Sequence, residues 1–509
     1  VFRRDSGGQP EDKVPYRFTR QGIFVIIEWV INMLVTDQSN GTDQIEMVSI
    51  DELVPKDHLI RKVSSVMDFT FVYDIVRDKY SKNKGRPSID PVVLVKMVLI
   101  QYLFGIRSMR QTVKEIEVNV AYRWFLGLGL SDPVPHFTTF GKNYKRRFEG
   151  SGLFEEIFAR ILEKCYARGF VNDGIVFVDA THIKASANRH KRSKVEIARE
   201  AAAHAEELRA EIDADREAHG KKPFAEGGNG DGAGSTPTKI VTQSTTDPDS
   251  GMFVKGEHQR DFAYMAQTAC DGNGIVLCYE VASGNVHDSV SFTGLYEQLK
   301  PLNPAMIVMD AGYKTPAIVR RLLKDGVVPL LPRTDPKTGK GYFRKYEYAY
   351  DEYNDGYICP NNHMLGYSTT NREGYREYKS KRSICKDCPH RARCTQSSSM
   401  TKVVTRHVWQ DYMEMAEEFR LTLGMQEVYR RRKETIERVF ADAKEKHGMR
   451  YTHYRGKAKL EFEICMTYAA MNLKKLAMWS ARRALLSSVR WFNPILFPWD
   501  CIKPVQATA

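Results

Sequence analysis

Two aspartates each end a short apolar run: Asp179 follows Ile175-Val176-Phe177-Val178, and Asp310 follows Met306-Ile307-Val308-Met309. Such runs read as buried strands, and an aspartate at a strand end often does no more than cap the next turn. A pair of them admits a second chemistry. Carboxylates converging from neighbouring strands hold hard, oxygen-seeking Mg²⁺ ions, and two ions roughly 3.5–4 Å apart stabilise the attacking and leaving oxygens of phosphoryl transfer. That chemistry asks for a third carboxylate, and Glu437 is the candidate. Ile436, Phe440 and Ala443 form an apolar stripe at helical spacing, with Arg430, Lys433, Glu437 and Lys444 in one narrow sector beside it. A solvated face of i,i+3 and i,i+4 ion pairs has the same pattern.

Cations surround these acids. Residues 429–459 hold eleven Lys or Arg against four acidic residues, a DNA-facing balance. Within and around that window Arg450, Arg455, Lys184 and Lys314 are candidate phosphate contacts, although any one of them also reads as a solvated surface charge. A second basic run, Lys142, Lys145, Arg146 and Arg147, follows several short helical stretches. That order suits a helix-turn-helix-like DNA reader, or equally a helical bundle with a basic outer face. Over all 509 residues the formal net charge is +13, which points to a polyanionic partner without distinguishing DNA from RNA.

Four of the nine cysteines cluster: Cys359, Cys385, Cys388 and Cys394, spaced x25, x2 and x5. Cys-x2-Cys is a metal-knuckle spacing, and four thiolates suit a closed, structural Zn²⁺ site; four reduced, unligated thiols fit as well. The remaining five are scattered, which is not a disulfide framework. No apolar run reaches the roughly 20 residues that span a bilayer, and the longest, Ile23 to Val35, is broken by Glu28 and Asn32. The expectation is a cytoplasmic protein with no membrane partner.

The elements that must position these groups follow from periodicity. Asp90-Pro91 opens a capped helix; Ser108 to Glu117 and Val118 to Phe125 give two more; Thr138 or Thr139 is expected to cap the basic segment. From 174 the period changes to strands: Ile175 to Asp179, Phe262 to Ala269, Ile275 to Val281, Met306 to Asp310 and Val327 to Leu331, with a helix over Thr315 to Lys324. Residues 194–223 read as a charged surface helix and 226–238 as a Gly-rich linker. Asp288 is expected to cap a helix. The chain is therefore α/β in class.

The segments VFVDATHIKASANRHK (177–192), VMDAGYKTPAI (308–318) and RRRKETIERVFADAKEKHGMRYTHYRG (430–456) resemble bacterial insertion-sequence transposases of the DDE class, more narrowly the insertion-sequence eleven-eighty-two group. KGRPSIDPVVLVKMVLIQYLFGIRSMRQTVKEI (84–116) is similar to their InsH-type N-terminal domain, and STTDPDSG, QTACD, GNVHDS and AAMNLKKLA also match, so that the likeness covers roughly 47–480. It implies an RNase H-like core with a mixed sheet flanked by helices, catalytic and metal-holding Asp179, Asp310 and Glu437, and two Mg²⁺ (or Mn²⁺) ions. It further implies cleavage at the ends of a mobile element, strand transfer into double-stranded target DNA, and at least a homodimer on the bacterial nucleoid. Related enzymes carry Tyr-x2-Arg-x3-Glu-x6-Lys at the last carboxylate. Here Glu437 and Lys444 fit, but Arg430 and Lys433 stand at the Tyr and Arg positions, with Tyr429 displaced by one. Glu434 is the alternative, and it leaves Ala441 where Lys is expected.

The expected organisation is an extension at 1–46, a helical DNA-binding domain at 47–150, a first core part at 151–334 with an insertion near 194–250, and a Cys-rich zinc insertion at 335–400. The second core part follows at 401–480 and a tail at 481–509. A transposition-inactive DNA-binding regulator and a non-transposing nuclease on the same fold are the competing readings.

Overall fold

In a computed structural model of the chain, residues 47–81, 88–198, 205–224, 238–255, 259–334 and 338–492 are described. The extension at 1–46, the linker at 226–237 and the tail beyond 492 lie outside them.

The N-terminal part is helical: α1 (Ile50–Leu53), α2 (Leu59–Val66), α3 (Phe71–Val76), α4 (Pro91–Leu103), α5 (Met109–Val118), α6 (Val120–Leu126), α7 (Phe137–Asn143) and α8 (Leu153–Ala167). The local signals work as expected for α4, where the Asp90 side chain accepts from Val92 N and Pro91 takes a first-turn position that needs no N–H. Ser108 caps α5 and Asn119 caps α6. The basic segment differs from expectation. His136, rather than a threonine, caps α7 through its ring, and Tyr144–Phe148 continues as a wider π-type turn that leaves Lys145 and Arg146 exposed.

The central sheet contains β1 (Ile175–Lys184), β2 (Arg192–Ala198), β3 (Thr238–Ser244), β4 (Gly251–Lys255), β5 (Gln259–Cys270), β6 (Val276–Ser283), β7 (Met306–Val308) and β8 (Val328–Leu330). Its order is β2-β3-β4-β5-β1-β7-β8, with β6 also on β5. β1 is antiparallel to β5 and parallel to β7, which is parallel to β8. The charged stretch at 194–223 is split. Lys194-Val195-Glu196-Ile197 alternates polar and apolar, and this two-residue period pairs it with β3, so the helix α9 (Ala205–Ala218) starts later.

Helices α10 (Asp288–Leu299) and α11 (Pro316–Lys324) connect β6, β7 and β8. The polar stretch after 334 folds as a second, five-stranded antiparallel sheet: β9 (Ala349–Asp351), β10 (Gly356–Ile358), β11 (Met364–Thr370), β12 (Tyr375–Lys379) and β13 (Val403–His407) in the order β13-β12-β11-β10-β9. The short helices α12 (Arg382–Lys386) and α13 (Arg391–Cys394) lie between β12 and β13. Its core of Phe343, Tyr348, Tyr357, Leu365, Tyr378 and Val404 is apolar and largely aromatic, more core than the composition promised.

The chain then returns through α14 (Gln410–Leu421), α15 (Met425–Arg430), α16 (Ile436–Lys446) and the 36-residue α17 (Lys457–Phe492), which runs through the expected boundary at 480. One hydrophobic cluster joins the N-terminal helices, one face of the central sheet, α16 and α17. Another seats α10, α11 and α14 on the opposite face. Among the described residues no helix is long and apolar enough to cross a membrane.

Candidate active site

Asp179 lies within β1 rather than at its end, because the strand runs on to Lys184 in register with β5. It is half-buried, and its own neighbour Ala180 donates N–H to Oδ1 at 2.9 Å. Asp310 follows β7, the parallel neighbour of β1, and its side chain is 52% exposed. Adjacent parallel strands thus bring the two acids to one place. Between them stands Arg432, 2.6 Å from Asp179 Oδ2 and 3.5 Å from Asp310 Oδ1. Burial raises the Asp179 carboxyl above the usual aspartate range, against the pull of the Arg432 charge. Burial opposes the Arg432 charge too, but Asp179 and Asp310 more than offset it and hold that group above the ordinary guanidinium value. Arg432 Nε is buried and has no hydrogen-bond partner.

Arg432 is the residue that sequence reasoning missed. The sector containing Arg430, Lys433, Glu437 and Lys444 assumed one continuous helix. Instead α15 stops at Arg430, a 3₁₀ turn takes Arg431–Lys433, and Thr435 at φ −106°, ψ −92° breaks the path before α16. Arg430 points away to an exposed pair with Glu427 at 3.1 Å. The signal was present in the spacing: Tyr429-x2-Arg432 keeps the Tyr-to-Arg interval of the related enzymes, and the turn absorbs the one-residue slide. Tyr429 and Arg432 interact in the structure.

Glu437 occupies the first turn of α16 and is exposed, while Ile436, Phe440 and Ala443 are buried as the stripe predicts. α16 packs against β1 and β5. Glu434 lies in the turn and is also exposed. Among the described residues no three His, Cys, Asp or Glu side chains close into a set that could hold a metal, so Glu437 is not gathered with Asp179 and Asp310.

The expected phosphate contacts separate into two groups. Lys433, Arg450 and Arg455 are exposed, as are Lys142, Lys145 and Arg146. Arg450 pairs with Glu445, and Arg455 Nε donates to Ser186 O at 3.0 Å. The Arg450 segment is tied to β1 through Lys184 N to Arg450 O at 3.1 Å and Thr452 N to Lys184 O at 3.0 Å. Lys444 is half-buried. Others are turned to internal duty. Lys314 is 14% exposed, donates to Pro332 O at 3.2 Å and pairs with Glu417 at 3.3 Å. Arg147 bonds Asn143 and stacks 4.1 Å over the Tyr80 ring. Lys184 pairs with Asp261 at 3.4 Å.

The zinc expectation is not supported. Cys359, Cys385, Cys388 and Cys394 are unpaired and half-buried, and no metal-holding set forms among the described residues. Cys385 Sγ donates to Ser380 Oγ at 3.1 Å, while Cys394 Sγ lies 3.1 Å from the Tyr348 hydroxyl. The aromatic core beneath supplies the cohesion for which a metal staple was invoked.

Asp288 does not cap its helix. His287 does, its ring accepting from Ser289 N, and Asp288 is the first residue of α10.

Residues 48–146 match the family described as Transposase domain (DUF772), and residues 358–477 match the Transposase DDE domain. The chain belongs to the insertion-sequence DDE transposases. No curated protein matches this transposase significantly. Among solved structures it is similar to the Mos1 transposase paired-end complex with left transposon end, at 13% identity and a TM-score of 0.15, over 49% of this chain and 61% of that one. The transposase thus spans about three fifths of that chain, and so low a TM-score carries no argument.

Proposed function

We propose that this transposase binds the ends of an insertion sequence, cleaves the DNA there and joins the freed 3′-hydroxyls to target DNA by phosphoryl transfer. One observation carries the reading: Asp179 and Asp310 leave neighbouring parallel strands and meet on a single guanidinium. The mixed sheet, with helices on both faces, supports an RNase H-like core.

Hard carboxylate oxygens suit Mg²⁺ or Mn²⁺, and the buried, unpartnered Arg432 Nε marks a polar spot built for more than this one ion pair. Asp179, Asp310 and Glu437 would hold the ions, which supply Lewis acidity at the scissile phosphate. The chain's own side chains do the rest. Arg432 balances the two aspartates and orients both. Exposed Lys433, Arg450 and Arg455 beside the site, with Lys142, Lys145 and Arg146 in the helical part, grip phosphates and set the register of double-stranded DNA. Working on two ends calls for at least a dimer. Membership of the eleven-eighty-two group and a bacterial cytoplasmic setting complete the proposal.

The test uses a plasmid carrying the gene with its native flanks, incubated with the purified chain and Mg²⁺, with breaks mapped to the nucleotide. Metal-dependent cuts at terminal repeat boundaries, absent with Asp310→Ala, are expected. Binding at those boundaries without cleavage would overturn the enzymatic reading in favour of a regulator.

A further inference from the structure

Asp288 has no part in the scheme above, yet its position is not that of a surface acid. Because His287 caps α10, the Asp288 carboxylate is free of the local duty a helix start usually imposes. It is half-buried, and neither oxygen takes a hydrogen bond or ion pair among the described residues. The start of α10 packs on the short turn Ala311–Tyr313 that follows Asp310. A methyl group on Gly312 would stand 3.0 Å from Asp288 Oδ2, so only glycine leaves this carboxylate ordinary room there. The groups whose charges act on it are His287 and Asp310.

A second, independent observation falls at the same place. Tyr313 is fully buried, and its hydroxyl has no hydrogen-bond partner. The charges acting on that hydroxyl are those of Asp288, Asp179, Arg432 and Asp310, so it lies among all four. Buried hydroxyls without partners are rare, and one among three acids is a donor waiting for an ordered carboxylate or a held water. The balance of charge points the same way. Three carboxylates and one guanidinium leave two negative charges, which is what a divalent cation neutralises.

We propose that Asp288 is a further carboxylate of the metal site, serving the divalent ion on the Asp310 side, with the Tyr313 hydroxyl orienting the acids around it. This rests on the two-metal reading above and adds a ligand to it. With Arg432 between Asp179 and Asp310, no three of these acids close into a ligand shell among the described residues, so the ion draws them together on binding. Asp288 approaches from a different element than Glu437, which lies across the sheet on α16. The two acids therefore serve different sides of the site.

The probe is Mn²⁺ alone, titrated into the full DNA-free chain by calorimetry and followed by electron paramagnetic resonance. Wild type binds, and Asp288→Asn, nearly isosteric, weakens binding by roughly ten- to a hundredfold without altering the circular dichroism spectrum. Asp288→Asn binding like wild type while Asp179→Asn and Asp310→Asn lose the ion would overturn the role of Asp288 and leave the two-metal reading standing. No Mn²⁺ binding by wild type would overturn both. Fe²⁺ with ascorbate gives a readout that needs no variant: backbone scission near 288 as well as near 310 supports the proposal, and scission near 310 without 288 overturns it.

Discussion

Arg432 holds two carboxylates that would otherwise repel one another across the gap between β1 and β7. Its side chain is 10% exposed and that of Asp179 19%, so deleting the guanidinium leaves an uncompensated, largely buried charge. Arg432→Ala is expected to lower stability by about 3 kcal/mol, read from urea unfolding. Mg²⁺ should then raise the Tm of that variant more than the wild type's, because the ion replaces the missing cation. An equal shift in both would show that the guanidinium and the metal do not share a place. Asp179→Ala, Asp310→Ala and Glu437→Ala are expected to abolish cleavage while end binding persists, since carboxylates oppose phosphate. Gel shift and nicking assays run side by side decide this, and joint loss of both activities in all three would remove the metal-ligand assignment. Asp179 and Asp310 were legible because each is a charged residue closing an apolar run, and two such runs lie in one α/β stretch. Arg432 was hidden among four consecutive basic residues, and only the backbone break at Thr435 chooses which of them turns inward.

The helix that carries Glu437 owes its position to its apolar stripe. Phe440, 7% exposed, sits in the shared core, and Phe440→Ala should cost about 3–4 kcal/mol in denaturant unfolding. α17 supplies a pH-dependent term. Burial pushes Glu463 up to about 7, against the bond it accepts from Thr452 Oγ1. A carboxyl raised in the folded state is proton-bound there over a range in which the unfolded chain has already released it. The stability it contributes is therefore complete below the unfolded value near 4.5 and fades as pH climbs through about 7. Glu463→Gln, which keeps an acceptor for Thr452, should flatten that decline and gain roughly 3 kcal/mol at pH 8.5 over wild type, measured by thermal melts across pH. A decline that survives the substitution would place the titrating group elsewhere. At this scale the strands β1, β5, β6, β7 and β8 and the caps of α4 and α11 were readable, because period and capping chemistry are local. The second sheet was not. Its strands are rich in Tyr, Lys and Arg, and Tyr350, Tyr357 and Tyr378 build a core only by packing ring against ring, which no alternation of polar and apolar letters announces.

For the whole molecule the governing quantity is charge. Exposed cations lie both in the helical part, at Lys142, Lys145 and Arg146, and along the chain that follows the Glu437 helix. If both regions meet one duplex, log Kd against log salt should be steep, with a slope whose magnitude falls by about one for each contacting Lys or Arg removed. Fluorescence anisotropy at several salt concentrations checks this, and a flat plot would remove the electrostatic footing of the DNA reading. The two regions are also mechanically joined. The end of α4 rests on the end of α16: His447 Nδ1 lies 2.7 Å from Tyr102 O, and a methyl group on Gly105 would stand 2.2 Å from Lys446 O. Phe462 of α17 stacks at once with Tyr102, Tyr144 and Phe154. The part that reads an end and the part that cuts it are thus not interchangeable modules. A chimaera that borrows its reader from a related enzyme must import the matching surfaces of α16 and α17, and a lineage changing its end sequence through this reader must carry its catalytic helix along.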